Sequence, residues 1–341
     1  MEKQWGCCMQ RIFVIGGSNS LMKNGWVSKL KTDFSDRVEI VNLSIGAATS
    51  LMAIYRILSG QIPDGSTVVW EYAINESNHF KNGQSVSSLL YGVDWLLTLC
   101  ARRSIRFIPL IFWTREQAAK GEPGAYYGGL FSLLSSRGLA PVDFGEIAQR
   151  MAQSRGVDIY DLYSDGLHYS VSEEIIDSIC TLVLKNIAAS NVPDASQNFD
   201  GRDLRVVFPE SGRVEAFKSG VFAGDYCPFH DEIIIPAKGM LLAAYVVASQ
   251  NGGGITLKVD GNTKKAYSLM TPRREKPPFR LVKHLVFELD GDFGIPVEST
   301  VSVSRFRNSE RPIVQNTFDW YPAKDMPKEK DDGFIAALLE V

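Results

Sequence analysis

Arg11–Ser20 reads RIFVIGGSNS. Ile12, Phe13, Val14 and Ile15 form an unbroken apolar run that ends on Gly16 and Gly17, with Ser18 directly after. A continuous apolar run closed by glycine predicts a strand buried on both faces, as in parallel sheets. The two glycines let the chain turn sharply at the strand's carboxyl end, and in open α/β sheets ligands bind at that edge. Taken alone, the stretch also fits a plain turn leading to a helix capped by Ser18 or Asn19.

Working outward, the pattern repeats. Trp26–Thr32 is amphipathic, Val38–Leu43 (VEIVNL) predicts a second strand, and Ala48–Leu58 is helical in spacing. Ser66–Tyr72 (STVVWEY) predicts a third strand and Val86–Arg102 a long helix, with Leu89, Leu90, Val93, Leu96 and Leu97 on one face. Arg106–Trp113 predicts a fourth strand, although Pro109 removes a ladder donor from it. Val142–Arg155 then predicts a helix, Val157–Asp161 a short fifth strand and Glu173–Ala189 a closing helix. Strands alternating with helices at this spacing specify βαβ units and a parallel sheet. Near residues 190–202 the chain turns polar and rich in Pro, Asp, Asn and Gly, and helical periodicity fades beyond it. Short strand-like runs follow: Arg205–Phe208, Glu232–Ile235, Leu241–Ala248, Gly254–Val259, Leu285–Leu289 and Thr300–Phe306. Asp260-Gly261-Asn262 is a hairpin signal. The expected organisation is an α/β domain over 1–190, a linker over 191–203 and an all-β sandwich over 204–341.

The 341 residues carry a net charge of -3 with both signs interspersed, so no basic stripe points to nucleic acid. No apolar run is long enough to span a bilayer, so no membrane partner is expected. Met1–Gln10 is short and polar with no apolar h-region, so the expected compartment is cytoplasmic, the alternative being an exported form whose leader has been removed. Five cysteines, with only Cys7 and Cys8 adjacent, match no zinc or redox spacing, and no metal or cofactor is expected. Cys100 and Cys180 lie in apolar helical patterns and read as core.

Parallel strands deliver their carboxyl ends to one rim. Here those ends carry Ser18, Gly46, Asn75 and the segment Ser164–His168 (SDGLH). Acyl transfer needs these groups. A serine hydroxyl needs a base to take its proton, and histidine is the natural one. A carboxylate fixes the histidine's tautomer, and N–H donors must meet the developing oxyanion. There are four histidines, His79, His168, His230 and His284; His168 stands three residues after Asp165, so one tight turn can present both side chains. Against this stand plainer readings: Asn75 as a turn or cap residue, Asp165 as a loop cap, Gly46 as a turn glycine.

Together these positions resemble the SGNH hydrolases, the GDSL-type esterase and lipase superfamily. Gly16-Gly17-Ser18 matches the first block, Gly46 the glycine of the second, Ala73-Ile74-Asn75-Glu76 loosely the third, and Asp165-Gly166-Leu167-His168 the fifth. The resemblance implies Ser18 as nucleophile, His168 as general base and Asp165 as the residue that orients it. It implies an oxyanion hole from the N–H groups of Ser18 and Gly46 and the Asn75 amide. The implied fold is a flavodoxin-like three-layer sandwich around a five-stranded parallel sheet. Two positions depart from the family pattern. Gly17 replaces an aspartate, and Ala73 and Glu76 stand where Gly and Asp are usual.

The expected activity is therefore cleavage of a small acyl ester, acetyl foremost, on a small molecule or glycan. The same residues would serve an O-acetyltransferase acting on a sugar hydroxyl, and a third reading is a non-catalytic glycan- or protein-binding chain. His79 is a candidate rim residue for substrate. Tyr126 and Tyr127, in the Gly-rich stretch 120–129, are candidate sugar-stacking rings on a lid loop, although a plain surface loop fits that stretch too. Trp70 and Trp113 read as core, and Trp320-Tyr321 as sandwich packing or a sugar platform.

Overall fold

The computed structural model describes residues 9–210, 213–230, 232–249, 252–269, 280–289, 292–306, 312–313, 315 and 332–341. Cys7, Cys8, Trp320 and Tyr321 lie outside them. The chain forms two compact units. One comprises Met1–Thr49, Ile62–Ser77 and Asp94–Ser196; the other comprises Ser50–Gln61, Asn78–Val93 and Gln197–Val341.

The first unit holds a wholly parallel sheet. Its strands are β1 (Gln10–Gly16), β2 (Val38–Asn42), β3 (Thr67–Glu71), β4 (Arg106–Ile111) and β5 (Val142–Asp143), in the order β2-β1-β3-β4-β5. Ile12 to Ile15 and Val68 to Trp70 are at most 5% exposed, as central strands covered on both faces require. The helices between and after these strands are α1 (Trp26–Asp33), α2 (Ser50–Leu58), α3 (Ala73–Lys81), α4 (Val86–Arg102), α5 (Arg115–Lys120), α6 (Ala125–Ser136), α7 (Phe144–Arg155) and α8 (Glu173–Ile187); α2, the end of α3 and the first half of α4 fall in the second unit. α1 packs on α8 and β2, while α7 and α8 lie against β4. Arg137 and Asp94 form a buried ion pair, with Thr98 Oγ1 3.2 Å from the guanidinium.

Two expectations for this unit need correcting. The fifth strand is Val142–Asp143, not Val157–Asp161. Val157 and Tyr160 are 40% and 48% exposed, so that segment has no apolar face to bury in a sheet. Asp158 instead accepts the Tyr160 N–H and starts a 3-10 turn over Ile159–Leu162. The stretch 120–129 is also not one long loop. α5 ends at Gly121 (φ 71°) and α6 begins after Gly124 (φ 92°), both in backbone conformations that favour glycine.

The second unit is a pair of antiparallel sheets. In the larger, Gly239–Ser249 lies between Arg280–Val286 and Gly333–Glu340, which pairs in turn with Ala223–Pro228 and Leu204–Val207. The smaller runs Asn262–Ser268, Gly254–Val259, Thr300–Arg305, Ile233–Pro236. Leu241, Ala244, Val246 and Leu339 from one sheet join Ile255, Leu257, Val301 and Val303 from the other in a single core, as in a sandwich. Asp260 (φ 51°) and Gly261 (φ 77°) make the two-residue hairpin turn expected from Asp-Gly. Gly333–Glu340 (GFIAALLE) carries no strand alternation, because all eight residues are buried. α2 also belongs to this unit. Its Tyr55 ring stands 4.6 Å from that of Tyr245, whose hydroxyl donates to the Leu51 carbonyl at 2.6 Å.

Candidate active site

The strand order changes direction between β1 and β3, and Ser18 and Asn75 follow those two strands. A ligand crevice is expected at such a switch point. β1 ends in a 3-10 turn over Ser18–Leu21. Three elements tie this turn down. Ser44 Oγ accepts the Gly16 N–H at 3.0 Å, Asn42 Nδ2 donates to the Ser20 carbonyl at 2.8 Å, and Glu71 Oε2 accepts the Gly17 N–H at 3.0 Å. Ser18 is left half-buried at the carboxyl edge of the sheet.

His168 reaches it from the far end of the sequence. Its Nε2 stands 2.6 Å from Ser18 Oγ, and its Nδ1 stands 2.7 Å from Asp165 Oδ2. Asp165 also shapes the turn that carries His168, since its Oδ1 accepts the N–H groups of Leu167 (2.7 Å) and His168 (2.9 Å). Partial burial pushes the Asp165 carboxyl up, but those N–H groups and the imidazole outweigh it and hold the group below the usual carboxylate range. The turn is closed by a bridge between Tyr163 and Tyr169, and the Arg115 N–H donates to the Gly166 carbonyl at 3.0 Å.

Asn75 sits at the start of α3, where its Nδ2 donates to the Ala48 carbonyl at 2.9 Å. Its amide lies against Gly17: a Cβ built there would come within 2.5 Å of Asn75 Nδ2. Ile45 N–H donates to the Gly16 carbonyl at 3.0 Å, which brings the Ile45–Ala48 loop alongside the Ser18 turn. The N–H groups of Ser18 and Gly46 take no partner among the described residues. Such an arrangement can move a proton from a serine hydroxyl to an imidazole and offer N–H donors to an oxyanion.

The candidate substrate contacts fare differently. Tyr126 and Tyr127 are 1% and 0% exposed, on the inner face of α6 rather than on a lid loop. The Tyr126 hydroxyl donates to Glu76 and that of Tyr127 to the Phe112 carbonyl. They brace the core and cannot stack on a sugar there. His79, which like His284 belongs to the second unit, is also buried, at 3%, and the two rings stand 6.1 Å apart. Burial, then the charges of His79 and Lys283, push His284 down to about 3.

Two further residues support the candidate site. Asn19 does not cap a helix. Its Nδ2 donates to the Leu167 carbonyl at 3.0 Å and its Oδ1 accepts the Tyr169 N–H at 3.2 Å, gripping both neighbours of His168. Glu71, the last residue of β3, lies beneath the Ser18 turn at 1% exposure. Its sequence signal is an acidic residue closing an otherwise apolar strand.

No family model matches this sequence, and no curated protein matches it. Solved structures do. A two-domain esterase (CEX) active on acetylated mannans, co-crystallised with mannopentaose, is 11% identical with a TM-score of 0.64, over 97% of this chain and 90% of that one. A second structure of a two-domain esterase (CEX) active on acetylated mannans gives 10% identity and a TM-score of 0.62, over 97% and 91%. A lipase/acylhydrolase from Enterococcus faecalis is 15% identical with a TM-score of 0.41, over 55% of this chain and all of that one. The fold is thus shared with these two-domain structures: a parallel α/β sheet with an appended antiparallel β part, the architecture expected from the sequence.

Proposed function

We propose that this chain is a serine esterase that removes a small acyl group, acetyl foremost, from a carbohydrate ester. The observation that carries the reading is the continuous Ser18–His168–Asp165 hydrogen-bond chain, with both contacts of His168 under 3 Å. Ser18 Oγ attacks the acyl carbon while His168 Nε2 takes its proton. Asp165 holds the imidazole by Nδ1 and offsets the imidazolium charge. The tetrahedral oxyanion is met by the N–H groups of Ser18 and Gly46 and by Asn75 Nδ2. Collapse breaks the ester C–O bond, and the leaving sugar oxygen takes the proton from His168. Water then enters, gives a proton to His168 and attacks the acyl-Ser18 carbon. Departure of the carboxylic acid returns the proton to Ser18.

Substrate class rests on the similarity of the whole chain, both parts, to an esterase active on acetylated mannans. Hydrolysis is preferred over transfer to a sugar because the Asp165 side chain is 56% exposed and that of His168 25%, which leaves the base open to water. The test is turnover of p-nitrophenyl acetate, then acetate release from acetylated mannan, by wild type, Ser18→Ala and His168→Ala. Either variant should lose about three or more powers of ten in kcat. Wild-type turnover that survives Ser18→Ala refutes the mechanism. A rate that rises with added sugar, with acetyl appearing on that sugar, would make the chain a transferase. No turnover, together with no labelling of Ser18 by a fluorophosphonate, would leave a binding protein.

A further inference from the structure

Glu71 is an acidic side chain at the carboxyl end of the first unit's central strand, with no cation paired to it among the described residues. It lies on the central strand β3, between β1 and β4, and is 1% exposed. Its Oε2 accepts two hydrogen bonds from the segment that carries the candidate nucleophile: the Gly17 N–H at 3.0 Å and the Ser20 hydroxyl at 2.7 Å. Its own carbonyl accepts the Gly17 N–H as well, at 3.2 Å. The residues flanking Ser18 on both sides are therefore held by one carboxyl. Oε1, by contrast, is buried with no partner among the described residues.

The glycines above it show how closely this contact is fitted. A Cβ on Gly16 would fall 2.5 Å from Ser20 Oγ and 2.7 Å from Glu71 Oε2. Gly16 leaves the room in which the Glu71–Ser20 bond forms, so the carboxyl, the hydroxyl and the missing side chain are one packing solution. A carboxylate here would put charge on Oε1, which no donor meets, in a place closed to water. A neutral acid keeps Oε2 as acceptor for both bonds at a much smaller desolvation cost.

We propose that Glu71 is a positioning residue for Ser18, acting as a buried neutral acid that locks the nucleophile turn against β3; the proposal rests on Ser18 being the nucleophile. Burial pushes the carboxyl up to about 8, against the opposing effect of the Ser20 and Gly17 bonds. Tyr127, from α6, is a titratable group that feels the Glu71 charge, and burial holds that phenol well above its ordinary value, so it stays neutral across the range tested. Ionisation of Glu71 places a negative charge against the Gly17 N–H, one residue from the Ser18 N–H proposed to meet the oxyanion, which weakens the transition state. The sign for stability follows. The unfolded carboxyl, at its ordinary 4.5, releases its proton before the folded one does. Stability is thus greatest below that value and falls as pH rises toward about 8.

The experiment compares wild type, Glu71→Gln and Glu71→Ala from about pH 5 to 9.5, reading kcat/KM on p-nitrophenyl acetate and Tm by scanning calorimetry. Gln keeps an acceptor for Gly17 and Ser20 and cannot ionise. Wild-type kcat/KM should fall about 25-fold between about pH 7.5 and 9.5, as the neutral acid is titrated away. Glu71→Gln should lack that fall, and Glu71→Ala should lose about tenfold or more in kcat with KM little changed. The Tm of Glu71→Gln should gain on wild type by several degrees from about pH 5 to 8. An alkaline fall shared by wild type and Gln overturns the proposal, as does full kcat in the Ala variant. If Ala fails to fold, the Gln pH profile decides. If wild type neither turns over nor labels at Ser18, the esterase reading has failed, and the positioning role falls with it. The Tm comparison still reports separately whether Glu71 is a buried neutral acid.

Discussion

Gly17 stands where the SGNH resemblance would place an aspartate, and its geometry sets up a strong test. Its φ of -86° and ψ of -153° are open to any residue, so a substitution there adds no backbone strain. The whole effect of Gly17→Ala falls on the new Cβ. That atom would lie 2.5 Å from Asn75 Nδ2, 2.9 Å from Oδ1 and 3.0 Å from Cγ. Ordinary contact requires the amide to withdraw by about 1 Å, and misplacement on that scale is worth about 100-fold in rate. Losing one oxyanion donor outright costs about 100- to 1,000-fold in kcat, or ~2.7–4 kcal/mol on the barrier. Withdrawal also strains the Asn75–Ala48 bond, and overpacking of this kind costs about 1–3 kcal/mol of stability. We expect Gly17→Ala to fold with a lowered Tm and to lose about two powers of ten in kcat, with KM little changed. Gly17→Asp, the residue the resemblance would place there, should fare no better. The assay is steady-state turnover of p-nitrophenyl acetate, with Asn75→Ala and the double variant measured alongside. If both changes act through one donor, the double variant loses little more than either single one. Full activity in Gly17→Ala while Asn75→Ala is impaired would refute the reasoning, and so would losses that multiply.

Asn19→Ala removes both bonds that grip Leu167 and Tyr169 on either side of His168. It should lower kcat by about tenfold to 100-fold through misplacement of the base, with little change in KM; unchanged kcat would mean that Asp165 and the Tyr163–Tyr169 bridge suffice. Tyr126→Phe leaves Glu76 without its phenol donor in the core, and should cost about 1–3 kcal/mol by denaturant titration. Its KM for acetylated mannan should not move, whereas a raised KM at unchanged stability would return Tyr126 to the substrate site.

The parallel sheet was legible because its strands are apolar without alternation and its helices are spaced to cross between them. The Asp-Gly hairpin was legible because few other dipeptides take positive φ at two successive positions. Legibility failed where burial overrides local pattern. Gly333–Glu340 is rich in Ala and Leu, yet tertiary packing makes it a central strand with every residue buried. Tyr126 and Tyr127 sit beside Gly124, Gly128 and Gly129, which suggests a loop, but the chain there forms a helix whose inner face takes both rings.

For the candidate site, order along the chain pointed to Ser18 and Asn75 because they follow β1 and β3, and parallel strands bring their carboxyl ends to one edge; Asp165 and His168 follow the 3-10 turn over Ile159–Leu162 instead of the strand expected there, and the packed chain brings them to the same edge. Sequence also placed Asp165 and His168 on one turn, since three residues of separation allow little else. What it did not contain was the support beneath them. Asn19 meets Leu167 and Tyr169 across 148 and 150 residues, and Glu71 meets Gly17 and Ser20 across 54 and 51. Neither pairing leaves a local pattern, because a buried polar group takes whatever partner the packed chain brings within about 3 Å. The residue types suited to acyl transfer were written in the sequence. Only the tertiary structure decided which side chains hold them in place and which, like His79 and Tyr126, are spent on the core.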